Sequence, residues 1–302
     1  MEKQRRLCIM ISARDRNNLT LKTIESIRLN SKRFDDIIIY VFDNLSKDIN
    51  NRMNIFSKLL EENIIQYYSF DTKCSTTSCF PKSILFQRWL QMIKIDIQIK
   101  TIKKLDSNFK HYFALIDNDM ILCPDWDRYF IAACDQITKY EPNIKFLVKF
   151  PGGVNQNNSK KYRLECKDKY TEANQFDVFC NNHGGSSGFW FMSYDMLKDL
   201  EWPIELLSDS HLKFKKQDVF TWKFLNEKYP NKNYVAAVGP PNDTYPLVLH
   251  LGLKLGSICN SLSMNRYGAQ YEHINKLDSN INNVSVGELI KLYKNETWAT
   301  KW

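Results

Sequence analysis

Hydrophobic and polar positions in the first part of the chain alternate between short apolar runs and amphipathic stretches. The runs at 7–12, 36–42 and 113–116 have the length and composition of buried strands. Between the first two runs, apolar residues recur at helical spacing from Thr20, a possible cap, to residue 29. After the second run, a helix with an apolar face is expected, formed by Met53, Phe56, Leu59 and Leu60.

The same reading extends along the chain. We expect helices over 81–105, 129–140 and 217–229, and a short one near the C-terminus. We expect strands at 64–70, 146–150, 189–192, 235–238 and 247–249, and a long exposed loop at 155–169. Strands that alternate with helices predict an α/β fold: a mostly parallel central sheet with helices on both faces, plus a small C-terminal elaboration. At 302 residues, one large domain is the default.

Carboxylates follow the predicted strands. Asp43 closes the second run, and Asp117 and Asp119 follow the run at 113–116. Ligands of open α/β sheets bind at the carboxyl ends of the strands, where an Asp-x-Asp step can hold a divalent cation. A second Asp-x-Asp, Asp125 and Asp127, lies at a predicted helix start, where Asp is common as a cap. Placement at a strand end therefore carries the metal hypothesis, and spacing alone does not.

Composition and charge narrow the function. The net charge is +8, but the basic residues are spread along the chain, which favours a solvated surface over nucleic-acid binding. No apolar run approaches the ~18 residues of a membrane span, and the apolar start is too short for a signal peptide, so a cytoplasmic location is expected. The eight cysteines contain no Cys-x-x-Cys, which predicts reduced, mostly buried thiols.

Glycine is informative by its position. No G-x-G-x-x-G and no P-loop follows the first strand, which disfavours dinucleotide and P-loop folds. The stretch 181–188, NNHGGSSG, has two readings that the residues leave open. It is either a turn with glycines at positive φ or a close approach of the backbone to a ligand.

In their order along residues 5–255, these features resemble the GT-A fold glycosyltransferases, closest to the family-2 kind. The turn at 43–48, DNLSKD, matches the family's Asp-Asn/Asp-x-Ser-x-Asp turn, and 117–119, DND, matches its Asp-x-Asp. The resemblance implies a Rossmann-like GT-A domain over 1–255, with a nucleotide-sugar-binding half at 1–127 and an acceptor-binding half at 128–255. A C-terminal extension would then occupy 256–302.

The resemblance also implies a set of site residues. Asp43 would contact the nucleobase, and Asp218 would be the catalytic base, although Gln217 replaces the usual acidic residue before it. His250 is the best-placed histidine to complete a site for Mn²⁺ or Mg²⁺. The implied donor contacts are Ala13, Arg14, Asp43, Asn44, Asp117 and Lys254; the implied metal ligands are Asp117, Asp119 and His250; the implied acceptor contacts are Gly185 and Trp190. Trp298 and Trp302 form either a lid or a packed helix end.

The resemblance implies a metal-dependent, inverting glycosyltransferase with a nucleoside-diphosphate sugar, UDP-linked, as donor. Its acceptor would be a hydroxyl on a saccharide or protein, for example a bacterial surface or flagellar protein. A sugar nucleotidyltransferase is the alternative enzyme, but it normally carries a glycine-rich loop after the first strand, and 12–16, SARDR, has none. A non-catalytic nucleotide- or glycan-binding module is the alternative from another class.

Overall fold

The structure is a computed structural model. It describes residues 3–43, 46–70, 89, 91–97, 108–149, 159–168, 171–182, 188–198, 200, 224–239, 246–251 and 277–294. Most of the helix expected over 81–105 lies outside these ranges, but its described part at 91–97 is helical. Of the helix expected over 217–229, residues 224–228 are described and helical. Trp298 and Trp302 lie outside the described residues.

The strands come from apolar and β-branched runs that bury one or both faces. They are β1 (Gln4–Ala13), β2 (Asp36–Asp43), β3 (Tyr67–Phe70), β4 (Phe109–Asp117), β5 (Met120–Leu122), β6 (Phe146–Lys149), β7 (Lys160–Asp168), β8 (Thr171–Asn181), β9 (Phe189–Ser193), β10 (Val235–Val238) and β11 (Val248–His250). The helices with defined bounds are α1 (Asn17–Asn30), α2 (Ile49–Glu61), α3 (Trp126–Tyr140), α4 (Tyr194–Leu197) and α5 (Val286–Lys294).

Nine of the described strands form one sheet in the order β3-β2-β1-β4-β9-β6-β10-β8-β7. The first four are parallel, and in the remainder only β9 and β8 run against the common direction. This confirms the predicted α/β class with a mostly parallel central sheet. β5 and β11 pair separately as a two-stranded antiparallel sheet.

Two predictions about local structure are wrong. The loop expected at 155–169 contains the edge strand β7, which pairs antiparallel with β8. Its Leu164 and Cys166 are buried while Arg163 and Glu165 between and beside them are exposed. Charged residues are common on edge strands because they discourage pairing with another chain. The charged composition of β7 therefore led to the prediction of a loop. Thr20 does not cap α1: it lies inside the helix, and Arg16 occupies the N-cap position.

The inner face of α2 also differs from the prediction. Met53 and Leu60 are exposed, whereas Phe56 is buried as expected. The second fully buried side chain of this helix is Arg52, which turns towards the end of β2. Helical periodicity of apolar residues cannot reveal an arginine on the buried face, because that position is chosen by charge rather than by hydrophobicity.

The core is built around aromatic rings from several elements. Phe191 of β9 is fully buried and stacks on Tyr112 of β4 at 5.8 Å between ring centroids. On its other sides it meets Trp126 and Phe130 of α3 edge-on, at 5.6 and 5.5 Å. These contacts fix α3 against β4 and β9, and thus fix the strand that carries the predicted metal ligands.

The segment 277–294 packs against α1 and the small sheet. Leu19 shares a second apolar cluster with residues of the C-terminal segment and of the small sheet: Ile121, Cys123, Leu249, Leu251, Ile281, Val286, Leu289 and Ile290. The Leu19 amide donates to the Asp278 carboxylate at 2.8 Å, and the Asn18 side chain donates to the Asp278 carbonyl oxygen at 2.8 Å. The division at residue 255 stays a prediction.

Two further features concern the chemical environment. Within the described parts of the chain, no helix is long and apolar enough to cross a bilayer. The cysteines described by the structure are buried and carry free thiols, as expected: Cys8, Cys123, Cys134, Cys166 and Cys180.

We expect Phe191→Ala to lower the free energy of unfolding by about 3–5 kcal/mol, because the change leaves a cavity where four rings meet. Urea unfolding followed by tryptophan fluorescence measures it. The matched control is Leu29→Ala at a half-exposed position of α1, which should change stability by less than about 0.5 kcal/mol. A Phe191→Ala protein as stable as the control would contradict this account of the core.

Candidate functional site

Parallel register brings three polar strand ends to one edge of the sheet. Ala13 of β1 pairs with Asp43 of β2, and Ser12 pairs with Asp117 of β4. The segments that follow these strands therefore start side by side. This edge is where ligands bind in open α/β sheets.

The turn after β4 is tied to the loop after β1. The Asn118 side-chain amide donates to the Asp15 carbonyl oxygen at 3.2 Å and to the Thr20 hydroxyl at 3.1 Å. Asn118 itself is buried. The middle residue of the Asp-x-Asp step thus points into the protein as an anchor, while its two neighbours are left to face the site.

Asp117, Asp119 and His250 form a group in which one ligand atom of each lies within 4.8 Å of the others. The His250 Nε2 atom is 3.4 Å from Asp119 Oδ1. His250 arrives there because β11 pairs with β5, which places it opposite Met120, and because the Leu251 amide donates to the Asp119 carbonyl oxygen at 3.0 Å. The structure thus brings together the three residues expected to bind metal; that they bind it stays a prediction.

The donor set fits a divalent cation. Carboxylate oxygens suit Mg²⁺ and Mn²⁺, and imidazole nitrogen is a common ligand of transition metals. The His250 Nδ1 atom is buried and has no hydrogen-bond partner among the described residues. The nitrogen that faces Asp119 is Nε2, and this atom together with the two carboxylates offers the donor set for a cation.

Gly188, at the start of β9, lies against this group. Its carbonyl oxygen accepts a hydrogen bond from the Asp117 amide at 2.9 Å. A Cβ atom at position 188 would lie 2.0 Å from Met120 Cε and 3.1 Å from His250 Cε1. Gly188 is thus required by the close approach of the Met120 and His250 side chains, and the approach of a ligand to the stretch 181–188 stays a prediction.

The loop after β1 is held in an unusual backbone conformation. Asp15 and Arg16 have φ of 49° and 56°, in the left-handed region that costs a non-glycine residue roughly 1 kcal/mol or more. Besides the bond from Asn118, three hydrogen bonds hold Asp15: its amide donates to Ser46 Oγ at 2.7 Å, its carboxylate accepts from the Lys47 amide at 2.8 Å, and its carbonyl accepts from Arg52 Nη1 at 2.9 Å.

This loop directs an arginine towards the metal-ligand group. Arg16 Nη1 lies 4.0 Å from Asp119 Oδ2. The sequence showed only a polar turn at this position, and the prediction of a donor contact named Arg14 instead. No periodicity signals Arg16, because its placement depends on the left-handed turn and on the return of the chain at Asp119.

Asp43 and Arg52 form a buried ion pair behind the same loop. The Asp43 carboxylate accepts hydrogen bonds from Arg52 Nε, from the Ser46 amide at 2.9 Å and from the Tyr68 hydroxyl at 3.3 Å. Burial, and then the charge of Asp43, raises the pKa of Tyr68 to about 12. Arg52 also donates to Asn17 Oδ1. The predicted nucleobase contact of Asp43 stays a prediction; in this structure its carboxylate holds the loops after β1 and β2.

The second Asp-x-Asp serves the fold. Asp125 stands at the N-cap of α3 as expected, but its side chain makes no cap hydrogen bond. It pairs instead with Arg33 Nη1 at 3.0 Å, and the fully buried Asp127 accepts from the Arg33 amide at 2.7 Å. Burial raises the pKa of Asp127 above its ordinary value. These carboxylates join α3 to the segment after α1.

Lys149 is a buried basic residue that no pattern in the sequence singles out. It ends β6 inside the apolar run 146–150 and is 5% exposed. Burial lowers its pKa to about 8, and the negative charge of Asp119 acts in the opposite direction. A lysine in such a run is easily taken for a strand terminator, because only the assembled sheet shows what lies beside it.

The remaining predicted site residues are of two kinds. Trp190 is fully buried and packs on Phe146 with ring centroids 5.0 Å apart, which is the position of a core residue and not of an acceptor contact. The others lie outside the described residues: Asn44, Gly185, Asp218 and Lys254.

We expect Arg52→Met to lower the free energy of unfolding by about 3–5 kcal/mol, since it leaves the Asp43 carboxylate buried without its ion-pair partner. Urea denaturation gives the value. The double variant Asp43→Asn/Arg52→Met removes both charges and should recover part of the loss. If Arg52→Met alone is as stable as the unaltered protein, the pair does not hold the loops.

Gly188→Ala should destabilise the protein by about 1–3 kcal/mol and weaken Mn²⁺ binding, because the new methyl group displaces Met120 and presses on His250. Urea unfolding and calorimetric titration with MnCl₂ test the two effects. Gly287→Ala is the matched control: no atom lies within 4 Å of its added Cβ, and alanine favours the helix α5. Equal Mn²⁺ affinity in both variants would show that the position of the His250 side chain does not depend on a glycine at 188.

Comparisons with known proteins give matches to solved structures only. The sequence matches no protein-family model and no curated protein. It is similar to S. aureus TarS 1–349 in complex with UDP-GlcNAc, at 12% identity and a TM-score of 0.40 over 78% of this chain and 56% of that one. The chain spans 35% of a longer TarS structure.

Two other solved structures are similar to parts of the chain. One is the mannosyltransferase PcManGT from Pyrobaculum calidifontis in complex with GDP-Man and Mn²⁺, at 10% identity and a TM-score of 0.27, covering 48% of this chain and 36% of that one. The other is a glycosyltransferase involved in the glycosylation of the major capsid of PBCV-1, at 11% identity and a TM-score of 0.30, covering 76% and 80%.

Proposed function

We propose that this chain is a metal-dependent glycosyltransferase that moves a sugar from a nucleoside-diphosphate sugar, with UDP as the nucleotide, to a hydroxyl group of a saccharide or protein. The observation that carries the proposal is the grouping of Asp117, Asp119 and His250 at the carboxyl edge of the parallel strands. The type of reaction is inferred from the order of motifs, which resembles that of family-2 GT-A enzymes.

Mn²⁺ or Mg²⁺ would be held by Asp117, Asp119 and His250. A divalent cation bound there supplies Lewis-acid neutralisation of the negative charge that a leaving diphosphate gains. The protein prepares the site in advance: the Asn118 hydrogen bonds fix the Asp-x-Asp turn, and the strand pair β5–β11 fixes the histidine. Because these side chains need not rearrange when the cation binds, less conformational entropy is lost on binding.

The loop after β1 is the donor-binding element in this proposal. It holds Arg16 beside Asp119, where a guanidinium can pair with phosphate oxygens, and it places the backbone of Ala13 and Arg14 at the same edge. The Asp43–Arg52 pair keeps the loop in its left-handed conformation before a ligand arrives. Asn44 and Lys254 remain proposed donor contacts on the strength of the resemblance.

Asp218 is the proposed base of an inverting reaction. The acceptor oxygen attacks the anomeric carbon and its proton passes to the Asp218 carboxylate. The bond from that carbon to the diphosphate oxygen breaks, and its electron pair leaves with the nucleotide. Gly185 is the proposed neighbour of the acceptor. These two assignments rest on the resemblance and the order of motifs.

A sugar nucleotidyltransferase is less well supported, because the segment between β1 and α1 is short, has no glycine and is fastened by side chains of the neighbouring loop. A binding module without turnover would share the metal and nucleotide sites. Release of free sugar from UDP-sugars in the presence of Mn²⁺ separates the enzyme from the binder.

Asp119→Asn tests the proposal, since it removes one ligand charge and keeps the shape of the side chain. We expect UDP with Mn²⁺ to raise the melting temperature of the unaltered protein, because a ligand at a hundredfold excess over Kd adds about 2.7 kcal/mol to the free energy of unfolding. EDTA should abolish this shift. Asp119→Asn should lose the Mn²⁺-dependent part of the shift.

Asp195→Asn is the matched control, because Asp195 is an exposed carboxylate on α4, far along the chain from the three ligands. It should behave like the unaltered protein. A full Mn²⁺-dependent shift in Asp119→Asn, or no shift of the unaltered protein with any nucleoside diphosphate, would overturn the proposed function.

A further inference from the structure

Lys149 lies at the same edge of the sheet as the metal-ligand group. It ends β6, whose neighbour β9 pairs Trp190 with Val148, so that the chain next to Lys149 is the start of β9 at Phe189 and Gly188. Gly188 is in turn hydrogen-bonded to Asp117. β4 and β6 are two strand spacings apart, about 10 Å, and an extended lysine side chain covers most of that distance.

The ammonium group of Lys149 is buried and interacts electrostatically with Asp119. Lys149 is 5% exposed, and Asp119 is the charged group whose field acts on it. Burial lowers the pKa of Lys149, and the negative charge of Asp119 acts against that lowering and favours the charged ammonium form. Keeping a charge in such a place costs stability, and an apolar side chain would fill a strand end at least as well.

This charge also opposes metal binding at the neighbouring group. A cation close to Asp119 repels a divalent ion bound by the same carboxylate. A site built for a metal alone would gain from an apolar residue at position 149. With a metal bound, the lysine becomes favourable again when a further anion enters together with the metal.

The balance of charges identifies that anion. Asp117 and Asp119 bring two negative charges and Arg16 and Lys149 two positive ones, so these four groups are neutral together. A divalent cation adds a double positive charge. The diphosphate of a nucleotide sugar carries one negative charge on each phosphate group, which restores neutrality, and the leaving nucleoside diphosphate gains one more.

We propose that Lys149 is a donor-binding residue whose ammonium group contacts the diphosphate held by the metal-ligand group, a role that rests on the proposed function. It stabilises the negative charge that develops on the leaving group. It does so from the side of β6 and β9, opposite to the loop that carries Arg16. The alternative is a purely structural role, in which Lys149 only keeps Asp119 in position.

Lys149→Met separates the two roles, because it keeps the length of the side chain and removes the charge. A diphosphate contact predicts effects of opposite sign. Binding of UDP at saturating Mn²⁺ should weaken about 10- to 100-fold, as expected for the loss of a hydrogen bond to a charged group. Binding of Mn²⁺ alone should become severalfold tighter, because the repelling charge is gone. Calorimetric titrations with MnCl₂, and with UDP at saturating MnCl₂, give both values.

Lys145→Met is the matched control. Lys145 is also buried and directly precedes β6, at the opposite end of the same strand, where its ammonium group lies over the ring of Tyr229. Removal of this charge should leave both affinities unchanged. The melting temperature of each variant without ligand reports whether it folds, and exchange of a buried lysine for methionine is compatible with the fold.

The outcomes are distinct. Unchanged UDP affinity in Lys149→Met, or equal weakening of UDP and Mn²⁺ binding, overturns the role proposed for Lys149 and leaves the glycosyltransferase proposal standing. Failure of the unaltered protein to bind UDP or any other nucleoside diphosphate overturns both. Weaker UDP binding together with tighter Mn²⁺ binding, seen in Lys149→Met and not in Lys145→Met, supports the inference.

Discussion

The parallel register of β1, β2 and β4 is the constraint on which the site depends. Burial of both faces of β1 from Leu7 to Ala13 holds this strand at the centre of the sheet, and its parallel pairing places Ala13 beside Asp43 and Ser12 beside Asp117. Hydrophobic burial, a force without direction, thereby aligns three polar strand ends. The aromatic contacts of Phe191 hold β4 in the same frame from the other side.

Buried charge is used in two ways at this edge. Asp43 and Arg52 neutralise each other completely and add hydrogen bonds to Ser46 and Tyr68, so they serve as a fixed support for the loops. The charges of Lys149 and Arg16 lie near Asp119, which is shared with the proposed metal. The first pair serves the fold, whereas the second group is neutral without ligands and stays neutral when the proposed divalent cation and a doubly charged anion bind together.

Apolar periodicity predicted most of the sheet and the position of Asp117 and Asp119 at a strand end, whereas the place of His250 beside them came from the family resemblance. Strands that are buried on both faces can be predicted from their apolar composition, and the positions of their ends can therefore be predicted as well. The failures have physical causes. β7 is an edge strand whose charges protect it, Arg52 occupies a helix face for its charge, and Trp190 fills the core although it follows a glycine-rich stretch. Arg16 and Lys149 were missed because their positions depend on neighbours that only the folded sheet brings near.

The hydrogen bonds between Asp278 and the start of α1 join residues about 260 positions apart. During synthesis, the backbone amide of Leu19 and the side chain of Asn18 therefore meet these partners only after residue 278 has been made. Until then, Leu19 and Ile121 lack the cover that Val286 and Leu289 give them. The start of α1, directly after the first loop of the proposed donor site, thus gains these contacts late in folding, and a nascent chain without the C-terminal segment exposes an apolar patch prone to association.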